Sequence, residues 1–138
     1  MRLLLALLLM LSVPLPAVAA DSRIQTVDYD PDRVIRLRGQ FNIQTMIEFE
    51  PSERIENVAV GDALGWQVTP NKRANKLFVK PVSRGAMTNM TVVTDRRRYA
   101  FSLSVAAPAP WVLRFRYPAP VVAAVAAPPP PPPVDPAT

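Results

Sequence analysis

Apolar and polar side chains alternate along three segments of this chain, at residues 41–49, 99–105 and 111–117. A period of two is typical of a β-strand that buries one of its faces. In the third segment, this period places Trp111 on the same face as Leu113. The pattern therefore predicts three half-buried strands, the last with Trp111 in the core.

Six shorter segments, rich in β-branched or aromatic residues, fill the spaces around these three. They are residues 23–29, 34–38, 54–60, 66–69, 76–80 and 88–94. Turn-forming residues separate them, as at Asp30-Pro31-Asp32 and Gly61-Asp62. No segment within residues 21–118 keeps a helical period for three turns. Many short strands at this spacing predict an all-β fold, a single small β-sandwich of mostly antiparallel strands.

The first 20 residues have the pattern of a signal peptide. Arg2 gives a positive start, residues 3–11 form an apolar run, and small residues lead up to Ala20. An uncleaved membrane anchor is the alternative, but a spanning helix needs roughly 20 apolar residues, and this run has nine. Because no cysteine follows the run, a lipid-anchored lipoprotein is excluded. We therefore expect cleavage near Ala20, export to the periplasm of a Gram-negative bacterium, and no membrane span afterwards.

The character of the chain changes at residue 119. Residues 119–138 contain only Ala, Val, Pro, Asp and Thr, with six consecutive prolines at 128–133. Side chains of this size bury too little apolar area to offset the entropy lost on ordering them, and proline runs adopt the extended polyproline II form. We expect a disordered linker or tail that acts as a spacer or as a docking ligand.

Composition excludes several classes of chemistry. The chain has no histidine and no cysteine, which removes the usual general base at neutral pH, most zinc sites and every thiol mechanism. Its four glycines form no phosphate-binding loop. The net charge of +5 is spread along strands rather than concentrated in one stripe. We therefore expect no cofactor, no metal and no nucleic-acid partner.

One carboxylate pair is the remaining candidate for catalysis. Glu48 and Glu50 lie two residues apart and would face the same side of a strand, as in a glycosidase. Acidic residues at an exposed strand end are the more common explanation. We interpret the pair as solvated and predict that the chain is not an enzyme.

Three features are candidates for protein contacts. Arg96, Arg97 and Arg98 form the densest charge cluster and could bind an acidic partner, although a solvated hairpin tip would look the same. Two further arginines, Arg114 and Arg116, share one face of the last predicted strand. They could limit edge-to-edge aggregation or form a rim contact.

The two tryptophans could be interface anchors, because tryptophan is enriched in binding hot spots. For Trp111 the register favours the core. For Trp66, which lies between Gly65 and Gln67, the sequence leaves the core and an interface open.

The order of several short motifs between Arg23 and Pro118 resembles the N-terminal domain of the TrbG/CagX family, whose members belong to the outer-membrane core complex of type IV secretion and conjugation systems. The motifs are Val27-Asp28-Tyr29-Asp30, Glu53-Arg54-Ile55, Gly61-Asp62 with Trp66, Leu77-Phe78-Val79-Lys80-Pro81, Thr88-Asn89-Met90-Thr91-Val92-Val93-Thr94-Asp95, Arg98-Tyr99-Ala100-Phe101-Ser102-Leu103 and Leu113-Arg114-Phe115-Arg116-Tyr117-Pro118.

This resemblance implies a structural scaffold subunit of a periplasmic core complex. The implied partners are copies of the same chain in a ring and a TonB-like protein that spans the inner membrane. The sequence stops in what would be the family's linker, so contacts of the second domain with a small lipoprotein are not expected. The alternatives are a free periplasmic peptide-binding module or chaperone that uses an exposed strand edge, and a hydrolase of unrecognised type.

Overall fold

The computed structural model describes residues 15–85 and 87–120, which form nine β-strands and no helix. The strands are β1 (Ile24–Asp28), β2 (Val34–Gly39), β3 (Thr45–Glu48), β4 (Ile55–Val60), β5 (Trp66–Pro70), β6 (Lys76–Pro81), β7 (Thr88–Thr94), β8 (Arg98–Val105) and β9 (Val112–Arg116). Each lies within a predicted segment or within a residue of one, so the all-β prediction is confirmed.

The strands form two sheets that pack face to face. One has the order β1-β9-β3-β6-β5 and the other β2-β8-β7-β4. Among the described strand pairs, four are antiparallel, namely β3–β6, β4–β7, β5–β6 and β7–β8. Three are parallel, namely β1–β9, β2–β8 and β3–β9. Both sheets are therefore mixed, because strands distant in sequence join the hairpins as parallel neighbours.

The core lies between the sheets and follows the predicted alternation. In β8, Tyr99, Phe101 and Leu103 are buried, while the residues between them are more exposed. In β2, Ile35 and Leu37 are buried between exposed neighbours. Fully burying a side chain of this kind contributes roughly 1.5–3 kcal/mol. The fold therefore depends on alternate residues of both sheets meeting in one apolar layer.

The strand predicted at residues 41–49 is shorter than expected. The backbone of Asn42 has a φ of 64°, a left-handed conformation that asparagine tolerates better than most residues. The chain turns there, an isolated bridge joins Gln40 to Ile43, and β3 begins only at Thr45. Alternating burial then continues as far as Phe49. The apolar period was read correctly, but the turn within it was missed.

The structure places Trp111 at the surface and Trp66 in the core. Trp111 precedes β9 and is 49% exposed, so its expected place in the core was wrong. Its backbone N–H donates to the carbonyl of Arg23 at 2.8 Å, and the guanidinium of Arg23 lies 4.6 Å from its ring centroid. Trp66 is only 3% exposed and packs above Gly39, where an added Cβ would lie 2.6 Å from the ring. Of the two alternatives that the sequence left open for Trp66, its burial favours the core role.

The predicted terminal segments lie mostly outside the described residues. This holds for residues 1–14 of the proposed signal peptide and for residues 121–138, which include the proline run. Residues 15–20 are described and have no regular secondary structure.

Candidate protein-contact surfaces

The three consecutive arginines lie at the turn between β7 and β8. The side-chain oxygen of Thr94 accepts hydrogen bonds from the backbone N–H groups of Arg96 and Arg97, at 3.2 and 2.9 Å, which closes the turn. Arg96 and Arg98 are exposed, whereas the side chain of Arg97 is only 22% exposed. The strand period does not predict this difference in exposure, because Arg97 lies in the turn and not in a strand.

Arg97 is bound to groups of its own chain. Its Nη1 atom donates to Glu50 Oε2 at 2.6 Å and to Glu53 Oε1 at 3.0 Å. The guanidinium lies 4.0 Å from the ring centroid of Tyr117 and 5.4 Å from that of Tyr29. Charge-assisted hydrogen bonds and cation–π contacts both favour an arginine held in this way. Arg97 therefore stabilises the fold.

Glu53 is the centre of this arrangement, and its side chain has no exposed surface. Its carboxylate accepts hydrogen bonds from the hydroxyls of Tyr99 at 2.7 Å, Thr94 at 3.1 Å and Tyr117 at 3.3 Å. A buried charge is tolerated only when it is paired and hydrogen-bonded. These groups, called the Glu53 cluster below, are Glu50, Glu53, Thr94, Arg97, Tyr99 and Tyr117. The cluster joins the segment before β4 to β7, β8 and the end of β9.

The pKa values in the cluster follow from these contacts. The hydrogen bond from Arg97 lowers the pKa of the Glu50 carboxyl. Burial raises the pKa of Tyr117 to about 12 and raises that of Tyr99 above its usual range, where contacts with Tyr117 and Glu53 add to the effect. Burial alone would lower the pKa of Arg97, but its hydrogen bonds to Glu50 and Glu53 outweigh it, and the pKa is raised. These contacts therefore favour the charged forms of Arg97 and Glu50 and the neutral forms of Tyr99 and Tyr117.

Arg114 and Arg116 lie on the outer face of the five-stranded sheet. Arg114 Nε is 3.4 Å from Glu48 Oε2, and Lys76 Nζ is 3.6 Å from Glu48 Oε1, so a ladder of alternating charge crosses β9, β3 and β6. Arg116 Nη1 donates to Asp28 Oδ1 at 2.9 Å. The side chains of both arginines remain about half exposed or more, at 47% and 70%. Both are therefore accessible to a partner, unlike Arg97.

Glu48 and Glu50, the candidate catalytic carboxylates, contact different cations. Glu48 pairs with Lys76 and Arg114, and Glu50 pairs with Arg96 and Arg97. The arrangement places a basic side chain beside each carboxylate.

The described residues contain no group of carboxylates arranged to hold a metal ion. Within the same ranges, no helix has the length and apolar character to cross a membrane.

Sequence reasoning did not identify the Glu53 cluster as a unit. A signal was present, because Tyr99 and Tyr117 fall on the buried faces of predicted strands, and a buried tyrosine hydroxyl usually needs a partner. The partner, Glu53, lies 46 residues from Tyr99 and 64 residues from Tyr117 in the sequence. Only the packing of the two sheets shows that they meet.

Comparison with known proteins supports the sequence motifs. Residues 22–136 match the CagX family, described as conjugal transfer protein. The chain is 37% identical over 132 residues to the type IV secretion system protein PtlF of Bordetella pertussis, with 78% of this chain and 47% of that protein covered. It is 32% identical over 126 residues to virB9 of Bartonella quintana, with 78% and 43% covered. It is also 32% identical over 120 residues to virB9 of Brucella abortus biovar 1, with 72% of this chain and 41% of that protein covered.

The chain spans less than half the length of these curated relatives. The family match, by contrast, covers most of the chain and extends beyond Pro118, where the motifs recognised in the sequence stop. The predicted resemblance is confirmed, and this protein belongs to the CagX family of conjugal transfer proteins.

Proposed function

We propose that this protein is a structural scaffold subunit of a type IV secretion core complex and acts through protein–protein contacts. The observation that carries the proposal is its similarity to relatives named type IV secretion system proteins, PtlF and virB9. The family match at residues 22–136 covers the β-sandwich, so the scaffold function would depend on this domain.

The chemistry of the described surface is consistent with a scaffold. The carboxylates considered for catalysis are engaged by cations, and Arg97 is bound within the fold. The exposed charges of Arg114 and Arg116 lie on the outer sheet face, where they would form the polar rim of an interface. We infer a non-catalytic role in which the outer surfaces bind other proteins.

Location and partners belong to the same proposal. The N-terminal sequence pattern supports export to the periplasm, where the chain would be associated with the cell-envelope secretion complex. The proposed partners are further copies of the chain in a ring and a TonB-like protein that spans the inner membrane. The Pro-rich segment after residue 118 would act as the spacer between the sandwich and its neighbours.

The test is a mass measurement on the purified chain, alone and co-expressed with its candidate core partners. Light scattering and native mass spectrometry should show a ring-sized or partner-dependent particle. A monomer that ignores these partners but binds unfolded peptides would contradict the scaffold and would support the chaperone alternative. The neighbouring genes give an independent check, since a scaffold should be encoded beside secretion ATPases and a TonB-like protein.

A further inference from the structure

The edge strands of the two sheets are β1 and β5 in one and β2 and β4 in the other. They differ in the features that protect a sheet edge from pairing with another chain. An unprotected sheet edge is a template for pairing with another chain, and proteins usually blunt it with bulges or proline. The register of β4 shifts between Ile55 and Asn57, and β5 ends in Pro70. The edge strand β2 has neither feature and pairs in unbroken register with β8 over its six residues. Its outer edge is therefore regular, and no strand among the described residues pairs with it.

The outward side chains of β2 add a specific charge pattern. Arg36 and Arg38 are exposed, alternate with buried Ile35 and Leu37, and stand opposite Ser102 and Ser104 of β8. Neither arginine forms an ion pair with a carboxylate in residues 15–85 or 87–120. On β1, the edge strand of the other sheet, Asp28 is already paired with Arg116. The β2 edge thus presents two positive charges that no described carboxylate neutralises.

A cavity of about 530 Å³ adjoins these arginines. Its lining includes Arg36, Arg38, Ser102 and Ser104, together with Gln25 of β1. The guanidinium, hydroxyl and amide groups there are all able to donate hydrogen bonds. A concave site with convergent donors and two positive charges is suited to carboxylates.

We propose that the edge of β2 is a docking site for an extended acidic segment of a partner protein, which would add to the four-stranded sheet as a further strand. Residues two apart on a strand are roughly 6.6 Å apart, so Arg36 and Arg38 match carboxylates at alternate positions of such a segment. Main-chain hydrogen bonds would supply affinity and the two arginines specificity.

Edge arginines could instead serve only to prevent aggregation. A second feature of β2 favours docking, because Val34 is 59% exposed on the same outward face. An exposed valine does not protect an edge, but it would pack against an added strand. The inference rests on the proposed function in one respect only, namely that the occupant is another protein.

The probe is a blocked peptide of alternating glutamate and valine, about eight residues long so that it exceeds the six residues of β2. It is titrated into the full chain by calorimetry and by NMR of the backbone amides. We expect saturable binding, with the largest shifts in β2 and β8. The double variant Arg36→Glu, Arg38→Glu should weaken binding by about tenfold or more, as loss of two charge-assisted contacts implies.

Two controls make the result specific. Arg73→Glu reverses an exposed arginine in the β5–β6 turn that forms no ion pair with the described carboxylates, and it should leave binding within about twofold. The same probe N-methylated at alternate residues keeps its charge but loses donors for the sheet, and it should not bind. Circular dichroism should show the β-sheet signal retained in every variant.

Equal binding of the N-methylated probe, or an unchanged affinity in the double variant, would overturn the proposal. So would equal competition by inorganic polyphosphate or by anionic lipid vesicles, because either would indicate attraction to any anion. These titrations use the isolated chain, so they remain decisive even if no ring-sized particle forms. Conversely, if the peptide does not bind, the mass measurement on the core complex still tests the scaffold function by itself.

Discussion

The arginines of the Glu53 cluster and of the β2 edge belong to the same residue type but have opposite surroundings. Arg97 lies between two carboxylates and against the ring of Tyr117, with 22% of its side chain exposed. Arg36 and Arg38 are exposed beside serines and have no described carboxylate within ion-pair distance. The first setting stabilises the fold and the second is available to a partner. Surface charge therefore indicates function only once its internal partners are known.

This difference predicts a large loss of stability when the carboxylate at the centre of the cluster is removed. Glu53→Ala would leave Arg97, Tyr99 and Tyr117 without their shared acceptor, and breaking a buried charged network costs about 3–5 kcal/mol. Urea unfolding followed by circular dichroism measures the loss. Glu56→Ala, which truncates an exposed carboxylate in β4, should change stability by about 0.5 kcal/mol or less. Equal effects of the two variants would contradict the cluster.

Replacing Arg97 and replacing its neighbour Arg96 by alanine should lower the stability of the fold by different amounts. Arg97→Ala removes hydrogen bonds to two carboxylates, one of them buried, and should cost about 2–3 kcal/mol. Arg96→Ala removes only a 3.5 Å contact with Glu50 from a half-exposed side chain, and should cost about 0.5 kcal/mol or less. Thermal unfolding of the two variants in parallel tests the distinction. Similar losses would indicate that Arg97 is as solvated as its neighbour.

The cluster also predicts how stability depends on pH. The pKa of Tyr117 is raised from 10.0 to about 12, so the folded state holds this proton more tightly than the unfolded chain does. The resulting stability is complete below pH 10 and is lost as the pH rises towards 12. At the acid end, the pKa of Glu50 is lowered, so its contribution is lost as the pH falls through that lowered value.

Denaturant midpoints measured across the alkaline range, together with tyrosine absorbance, test this prediction. Tyr117→Phe should make the alkaline decline shallower because the variant has no proton to lose at this position, while Tyr99, whose pKa is also raised, still contributes. A decline of the same steepness in Tyr117→Phe would show that Tyr117 is not its source.

The smallest effect is expected on the outer sheet face. Arg116→Gln breaks the contact with Asp28, but both side chains are more than 60% exposed. Such pairs contribute about 0–1 kcal/mol and are screened by salt. We expect no change beyond about 0.5 kcal/mol in unfolding experiments at moderate ionic strength. A larger loss of stability would show that Arg116 stabilises the fold and is not merely an accessible surface charge.

The strands could be predicted well and their partners poorly. Periodicity located three of the nine described strands, because burial of one face leaves a period of two in the sequence, and the other six were located by β-branched or aromatic residues between turn signals. It failed at Trp111 because the strand begins one residue later, and side chains outside the ladder need not follow its alternation. It also missed the parallel neighbours β1–β9 and β2–β8, since no local pattern states which distant strands will pair.

The candidate contacts show the same division. The arginine triplet was recognised from its charge density, but the role of Arg97 depends on Glu50 and Glu53, more than 40 residues away in the chain. Arg36 and Arg38 did not stand out in the sequence, because each is an ordinary polar residue in an alternating strand. Their interest comes from their position on an open sheet edge.

The sequence by itself determined the all-β class, the strand positions and the family, because these depend on local alternation and on short motifs in a given order. The tertiary structure alone decided which tryptophan is buried, which arginine is internal and which strands form the sheet edges. Those outcomes depend on contacts between residues far apart in the chain, and the free energy of such contacts arises only when the two sheets pack together.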